Sequence, residues 1–220
     1  AAPEAPPLEA ALRVGMHWVL PRRDRLGRRV VTYRAAALSP PKRPIAELQQ
    51  MMCLLLERIT LNDPRTLHAG VVFLVDLKGA SVAALRHFAL ADVQRGMDML
   101  TDAFPCRLRE IWVINLPRIL APLAALVLGL LPAKLRRRLH LSYGDARHTP
   151  SLLTSLPADA IPVSMGGSDA TFDWDTVVDR LLRVPATAPP DAWLSASSSS
   201  SSSSPGDDPR PNPPSTSVVV

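Results

Sequence analysis

Apolar residues along this chain fall into three kinds of run, and each kind predicts a different element. In the first, apolar positions recur every three or four residues. Ile45, Leu48, Met52, Leu55, Leu56 and Ile59 predict an amphipathic helix over 45–60 that Asn62-Asp63-Pro64 ends. Leu85, Phe88, Ala89, Val93, Met97 and Leu100 predict a second helix over 82–100, and 173–183 a third. Residues 8–17 fit a short helix. In the second kind the run is short and unbroken. Val71–Val75, entered by Gly70 and closed by Asp76 and Gly79, and Ile111–Ile114 predict strands buried on both faces. Val30–Tyr33 predicts another, after a charged turn around Gly27, and 139–142 a short one. Strand, helix and strand at this spacing imply a right-handed parallel crossover.

The third kind is the stretch from Ile119 to Leu131, which carries no charge and is bounded by Asn115 and Arg118. A bilayer span needs roughly 20 apolar residues, so a shorter run predicts a buried or interfacial helix. A cationic segment, Lys134–Arg138, follows at once. An oily helix beside a basic one implies a surface that meets lipid without spanning it. From Pro185 onward the chain is Pro, Ser and Ala, with unbroken serine from Ser197 to Ser204. Such a composition predicts a disordered tail. The expected division is therefore one domain over 1–184 and a tail over 185–220.

Composition narrows the partners. The chain has 220 residues, 47% of them hydrophobic, which is enough for one domain with a core. Its net charge is +5, and 22 of its 25 basic residues are arginine. That excess points to anionic partners: membrane lipids, phosphoinositides or nucleic acid. A coding bias toward Ala, Pro and Arg would yield the same totals, so position has to carry the argument. Nucleic acid fits poorly, because no aromatic stacking platform interleaves the arginines.

Cys53 and Cys106 lack metal-ligand spacing, and a reduced, cytoplasmic setting is expected. No secretory signal is expected from the Pro-rich opening residues, which have no basic segment. Catalytic signatures are missing. There is no Gly-x-Ser-x-Gly elbow, no phosphate loop ending in Gly-Lys-Ser/Thr and no His pair at metal spacing. No cofactor, metal site or catalytic residue is expected. Asp76 and Asp102 sit at element ends, where capping or turn formation is the expected role.

Five motifs in order resemble the CRAL-TRIO lipid-binding domain family, closest to the animal group of alpha-tocopherol transfer protein and cellular retinaldehyde-binding protein. They are Val19-Leu20 with Asp24 and Gly27-Arg28; the Gly70–Gly79 segment; Asp98–Pro105 followed by Arg109, Ile111, Ile114-Asn115 and Pro117; Leu131–Leu139; and Ile161-Pro162 with Gly166-Gly167. Together they cover about residues 12 to 183. Departures occur at Met165, where the family has an aromatic, at Leu128–Leu131, which lacks the usual lysine, and at Tyr143-Gly144 in place of His-Gly. The family usually places a helical bundle before this domain. The residues here are too few for it, so either the sequence is a fragment or the bundle is absent.

The resemblance implies an α/β fold: a mixed, largely parallel sheet of about five strands, flanked by helices, with a helical gate over an apolar cavity. Carried over position by position, it implies a ligand-binding lining of Met52, Leu56, Val71, Phe73, Val75, Phe88, Leu100, Phe104, Leu108 and Ile111. Met52 and Leu56 share a helix face, and Val71, Phe73 and Val75 share a sheet face. It also implies a gate over 116–131 and a phosphoinositide-binding patch of Arg107, Arg109, Lys134 and Arg138. The function so implied is that of a cytosolic, reversibly membrane-associated protein. It would bind one hydrophobic lipid (tocopherol, retinoid or similar) and transfer it between membranes, with phosphoinositides aiding docking and release. The alternatives are a phosphoinositide-binding recruitment module without transferable cargo, and a lipid hydrolase on a similar sheet.

Overall fold

The computed structural model describes residues 7–38, 45–80 and 107–195. Its centre is a five-stranded sheet in the order β1-β2-β3-β4-β5. The strands are β1 (His17–Val19), β2 (Arg29–Arg34), β3 (Val71–Asp76), β4 (Leu108–Ile114) and β5 (Leu139–Leu141). Only β1 runs antiparallel to its neighbour; the other three pairings are parallel. The mixed, largely parallel sheet expected from the sequence is present.

β3 is central, and its run of apolar side chains follows from burial on both faces. Register assigns those faces. Val71, Phe73 and Val75 stand level with Arg29, Val31 and Tyr33 of β2, and with Leu108, Ile111 and Val113 of β4. Val72, Leu74 and Asp76 share the other face with Val30, Thr32 and Arg34, and with Glu110, Trp112 and Ile114.

Eight α-helices are described: α1 (Pro7–Arg13), α2 (Ile45–Thr60), α3 (Pro64–Ala69), α4 (Ala121–Leu130), α5 (Ala133–Arg136), α6 (Pro150–Ser155), α7 (Trp174–Arg183) and α8 (Asp191–Leu194). α2 has the predicted limits, with Met52, Leu55, Leu56 and Ile59 buried. The connections β2–β3 and β4–β5 step the same way across the sheet. Right-handed crossovers at both connections would lie on the same side of the sheet.

Three expectations need correction. The first helix stops at Arg13 rather than His17, because Gly15 takes a φ of +66° and turns the chain into β1. Asn62-Asp63-Pro64 does more than end α2. The Asp63 carboxylate accepts from the amides of Arg65 and Thr66, so it caps a new helix, α3, that proline opens. Packed structure also continues past 184. α8 follows, Trp193 is fully buried and Leu194 nearly so, so residues that pack against the core extend at least to Leu194. A lone buried indole outweighs the Pro- and Ala-rich composition around it. The helix predicted over 82–100 lies outside the described residues.

Candidate lipid and membrane site

The predicted lining residues divide into two sets. Met52, Leu56, Val71, Phe73, Leu108 and Ile111 are buried in one continuous core, and Val75 packs against it half-buried. The five from β3 and β4 lie on the one sheet face that register gives them. Phe88, Leu100 and Phe104 lie outside the described residues, as does Asp102. Two surface concavities formed by described residues lie elsewhere, around Pro21 and Arg22, and neither is lined by a predicted ligand residue.

Strand β4 is built around an irregularity. Val71 pairs with Leu108 but Val72 with Glu110, so Arg109 is an extra residue in the ladder. Its Nε donates to the Ala69 carbonyl at 2.9 Å and an Nη to that of His68 at 3.4 Å. A cation here satisfies the open carbonyls at the end of α3. The approach is close enough that a Cβ on Gly70, which has a φ of +94°, would sit 2.3 Å from the Arg107 carbonyl oxygen. Only glycine fits.

The other basic positions differ in their freedom. Arg138 donates to the Leu108 carbonyl at 2.5 Å, which ties the start of β5 to that of β4. Arg107 and Lys134 are exposed and have no side-chain partner among the described residues. Arg136 and Arg137 are exposed as well. The patch is thus two tethered arginines and two free cations, not four equivalent groups.

The segment expected to form the gate departs from β4 at a strained residue. Asn115 has a φ of +53°, its side-chain amide donates to Asp76 at 2.8 Å, and its backbone amide donates to Gly144. Asp76 also accepts from the Lys78 amide, so its role is turn formation, as expected. After Pro117, the 3-10 turn Arg118–Leu120 and α4 follow. Leu120 and Leu135 are buried and pin the two ends. Between them, no described side chain of 121–129 is buried. Ile119, Leu123 and Leu126 are 75%, 43% and 55% exposed. Arg118 stands over the exposed Tyr143 ring at 5.9 Å.

The sequence reading missed the polar clusters that brace this frame. Arg28 is buried between Asp24 and Glu110, and Glu110 also accepts from the Trp112 indole at 2.9 Å. His140 stacks on Trp112 with centroids 4.0 Å apart. Burial alone would raise the Glu110 carboxyl, but the bonds from Arg28 and Trp112 outweigh it and hold the group below its ordinary range. Asp63 behaves likewise: burial pushes up, while Thr66 and Arg23 pull down further. The signal was available, since Asp24 and Arg28 flank a Gly-containing turn four residues apart. Among the described residues, no group of three or more His, Cys, Asp or Glu side chains could hold a metal. No described helix is long and apolar enough to cross a membrane.

A model of the CRAL/TRIO domain matches residues 14–167. The chain belongs to this family. It is 31% identical over 174 residues to the human protein named alpha-tocopherol transfer protein-like, covering 78% of this chain and 50% of that one. It is 24% identical over 177 residues to rat clavesin-1, covering 80% and 49%. The chain thus spans about half the length of these relatives. The crystal structure of Sfh5 superposes with a TM-score of 0.55 at 15% identity, over 79% of this chain and 62% of that one, which supports the same fold. Mouse tyrosine-protein phosphatase non-receptor type 9 is 26% identical, but over only 26% of its own length, so its name says nothing of catalysis here. The CRAL-TRIO family is one of lipid-binding transfer proteins.

Proposed function

We propose that this CRAL-TRIO domain takes up one hydrophobic lipid, of the size of a tocopherol or retinoid, and exchanges it at membranes. The carrying observation is α4, a ten-residue apolar helix with no buried described side chain, held at both ends and followed by the exposed cations of α5. Such a helix is costly in water and stabilised at a bilayer interface. Met52, Leu56, Val71, Phe73, Val75, Leu108 and Ile111 would form the described wall of the cargo site, with Phe88, Leu100 and Phe104 completing it. Arg107 and Lys134, assisted by Arg109 and Arg138, would meet phosphoinositide head groups. Each cation near an anionic surface contributes about 1 kcal/mol. A head group that binds the open gate better would shift the population toward release.

A second reading, recruitment to membranes without transferable cargo, is favoured by the close packing of the described wall, where Leu56 and Val71 have no exposed surface. Native mass spectrometry of the purified chain with extraction of its lipids separates the two. One hydrophobic molecule per chain, moved from donor to acceptor vesicles, supports the carrier. A lipid-free chain that still binds phosphoinositide vesicles sinks it in favour of recruitment.

A further inference from the structure

Four arginines, Arg22, Arg23, Arg29 and Arg65, line an open concavity of about 450 Å³ together with Asp159, Asp191 and Ser195. None of these arginines belongs to the patch assigned above. Arg29 begins β2 and is fully buried. Its Nη atoms donate to the Pro21 carbonyl at 3.1 Å, to Asp191 at 2.8 Å and to Asp63 at 3.4 Å. Its Nε is buried with no acceptor. Buried guanidinium groups normally find acceptors for their donors, so the Arg29 guanidinium, whose residue lines the concavity, carries an incomplete set of acceptors.

The carboxylates around it are of two kinds. Asp63 is structural: it caps α3, pairs with Arg23 and is almost buried. Asp159 and Asp191 are side chains 61% and 65% exposed, paired with Arg22 and Arg29. The Arg22–Asp159 pair is exposed on both sides, so it contributes little stability and is easily exchanged, whereas Asp191 reaches from solvent to a buried guanidinium. The Arg65 side chain is exposed and has no partner among the described residues. Three carboxylates therefore face four guanidinium groups, and two of the three, Asp159 and Asp191, have exposed side chains.

A second carboxylate would gain nothing over Asp191. A phosphate monoester carries about −1.5 to −2 charges at pH 7 and three acceptor oxygens. Its geometry matches forked guanidinium donors. We propose that this concavity is a phosphate-monoester site. Two sources can supply the group. One is the chain itself, since Ser195 lines the concavity and Ser197–Ser204 follow it in sequence. The other is a separate phosphorylated solute.

The test is calorimetric titration of the full chain with O-phospho-L-serine, and with L-serine as control. Saturable binding of the phosphorylated form only is expected. Arg65→Ala weakens it about tenfold or more, as loss of a charged hydrogen bond should. Asp191→Asn tightens it, because the competing charge is gone while the shape remains. Absence of saturable binding both in the wild-type chain and in Asp191→Asn, with unchanged thermal melts, overturns the proposal. So does binding that is indifferent to Arg65→Ala. A chain phosphorylated in its serine run, with stoichiometry read by mass spectrometry, tells the sources apart. If it no longer takes up O-phospho-L-serine, its own phosphoserine fills the site. If uptake is unchanged, the site serves a separate molecule. Either outcome supports the site.

Discussion

Helices α4 and α7 each have ten residues and both lie at the periphery, yet they obey different rules. In α7, Trp174, Val177, Val178 and Leu181 are buried at spacings of three and four, and Asp175, Asp179, Arg180 and Arg183 occupy the rest of the circumference. Asp173 caps its start, and the Trp174 indole donates to the Leu12 carbonyl at 2.8 Å. In α4 no residue is charged, no side chain caps the start and no described side chain is buried. Most helical stability in proteins comes from packing of an amphipathic face. α7 has such packing within this chain, whereas α4 has only its anchored ends. The difference separates a helix packed by its own chain from one whose apolar side chains find no core among the described residues.

The sharpest test of the comparison is to truncate one apolar residue in each helix. Trp174→Ala should lower unfolding stability by about 3–5 kcal/mol, measured in urea, since it opens a cavity and strands the Leu12 carbonyl. Leu126→Ala should change stability by no more than about 0.5 kcal/mol, as for other exposed positions. It should instead weaken partition onto vesicles by about 2 kcal/mol, or roughly thirtyfold, at about 0.8 kcal/mol for each lost methylene-sized group. Equal effects of the two substitutions on stability would mean that α4 is an ordinary packed helix.

Acid should separate the packed frame from α4 in a second way. His17 is buried against the Tyr33 ring, and burial lowers its pKa to about 3. In the unfolded chain it titrates near 6.5. Between those values only the unfolded chain takes up the proton, so stability is fully present above pH 6.5 and falls as pH drops. The expected loss is about 2 kcal/mol between pH 6.5 and 5. The depressed carboxyls of Asp63 and Glu110 add their losses only at lower pH. Urea melts of wild type and His17→Phe over that window should show the slope in the first and not in the second. α4 has no titratable group, and its vesicle partition at neutral charge density should not follow the slope.

Why one helix was legible in sequence and part of the frame was not follows from the same physics. The periodicity of α2 and α7 and the unbroken run of β3 report burial directly, so those elements could be drawn from hydropathy. α4 was legible as apolar, but the sequence left burial and interface as alternatives, because an uncharged helix suits either. β1 has only three residues and no pattern of its own; it exists because β2 offers an edge. α8 was hidden in a Pro-rich context, and its evidence was the single indole of Trp193. The family resemblance could name four cations, yet it could not tell a tethered arginine from a free one. That distinction depends on a bulge at Arg109 and on carbonyls brought together by register.

The smallest expected effects turn on that last distinction. Arg107 and Lys134 are solvent-facing, so removing either charge should leave thermal stability unchanged and weaken binding to anionic vesicles by about 1 kcal/mol, close to fivefold. The loss should shrink as salt rises, since exposed charges are screened within about 8 Å at physiological ionic strength. Arg138→Ala should behave otherwise. It removes the donor to the Leu108 carbonyl and frees the start of β5, so it should cost about 1–3 kcal/mol of stability whatever the vesicle composition. Vesicle co-sedimentation at two salt concentrations, paired with thermal melts, reads both quantities on each variant. If all the cations proved to act alike on binding, and none on stability, the basic segment would be a uniform solvated face. If Arg107 and Lys134 alone respond to salt, membrane contact begins where the chain leaves its cations untethered, at the foot of the same gate whose helix has no core to pack against.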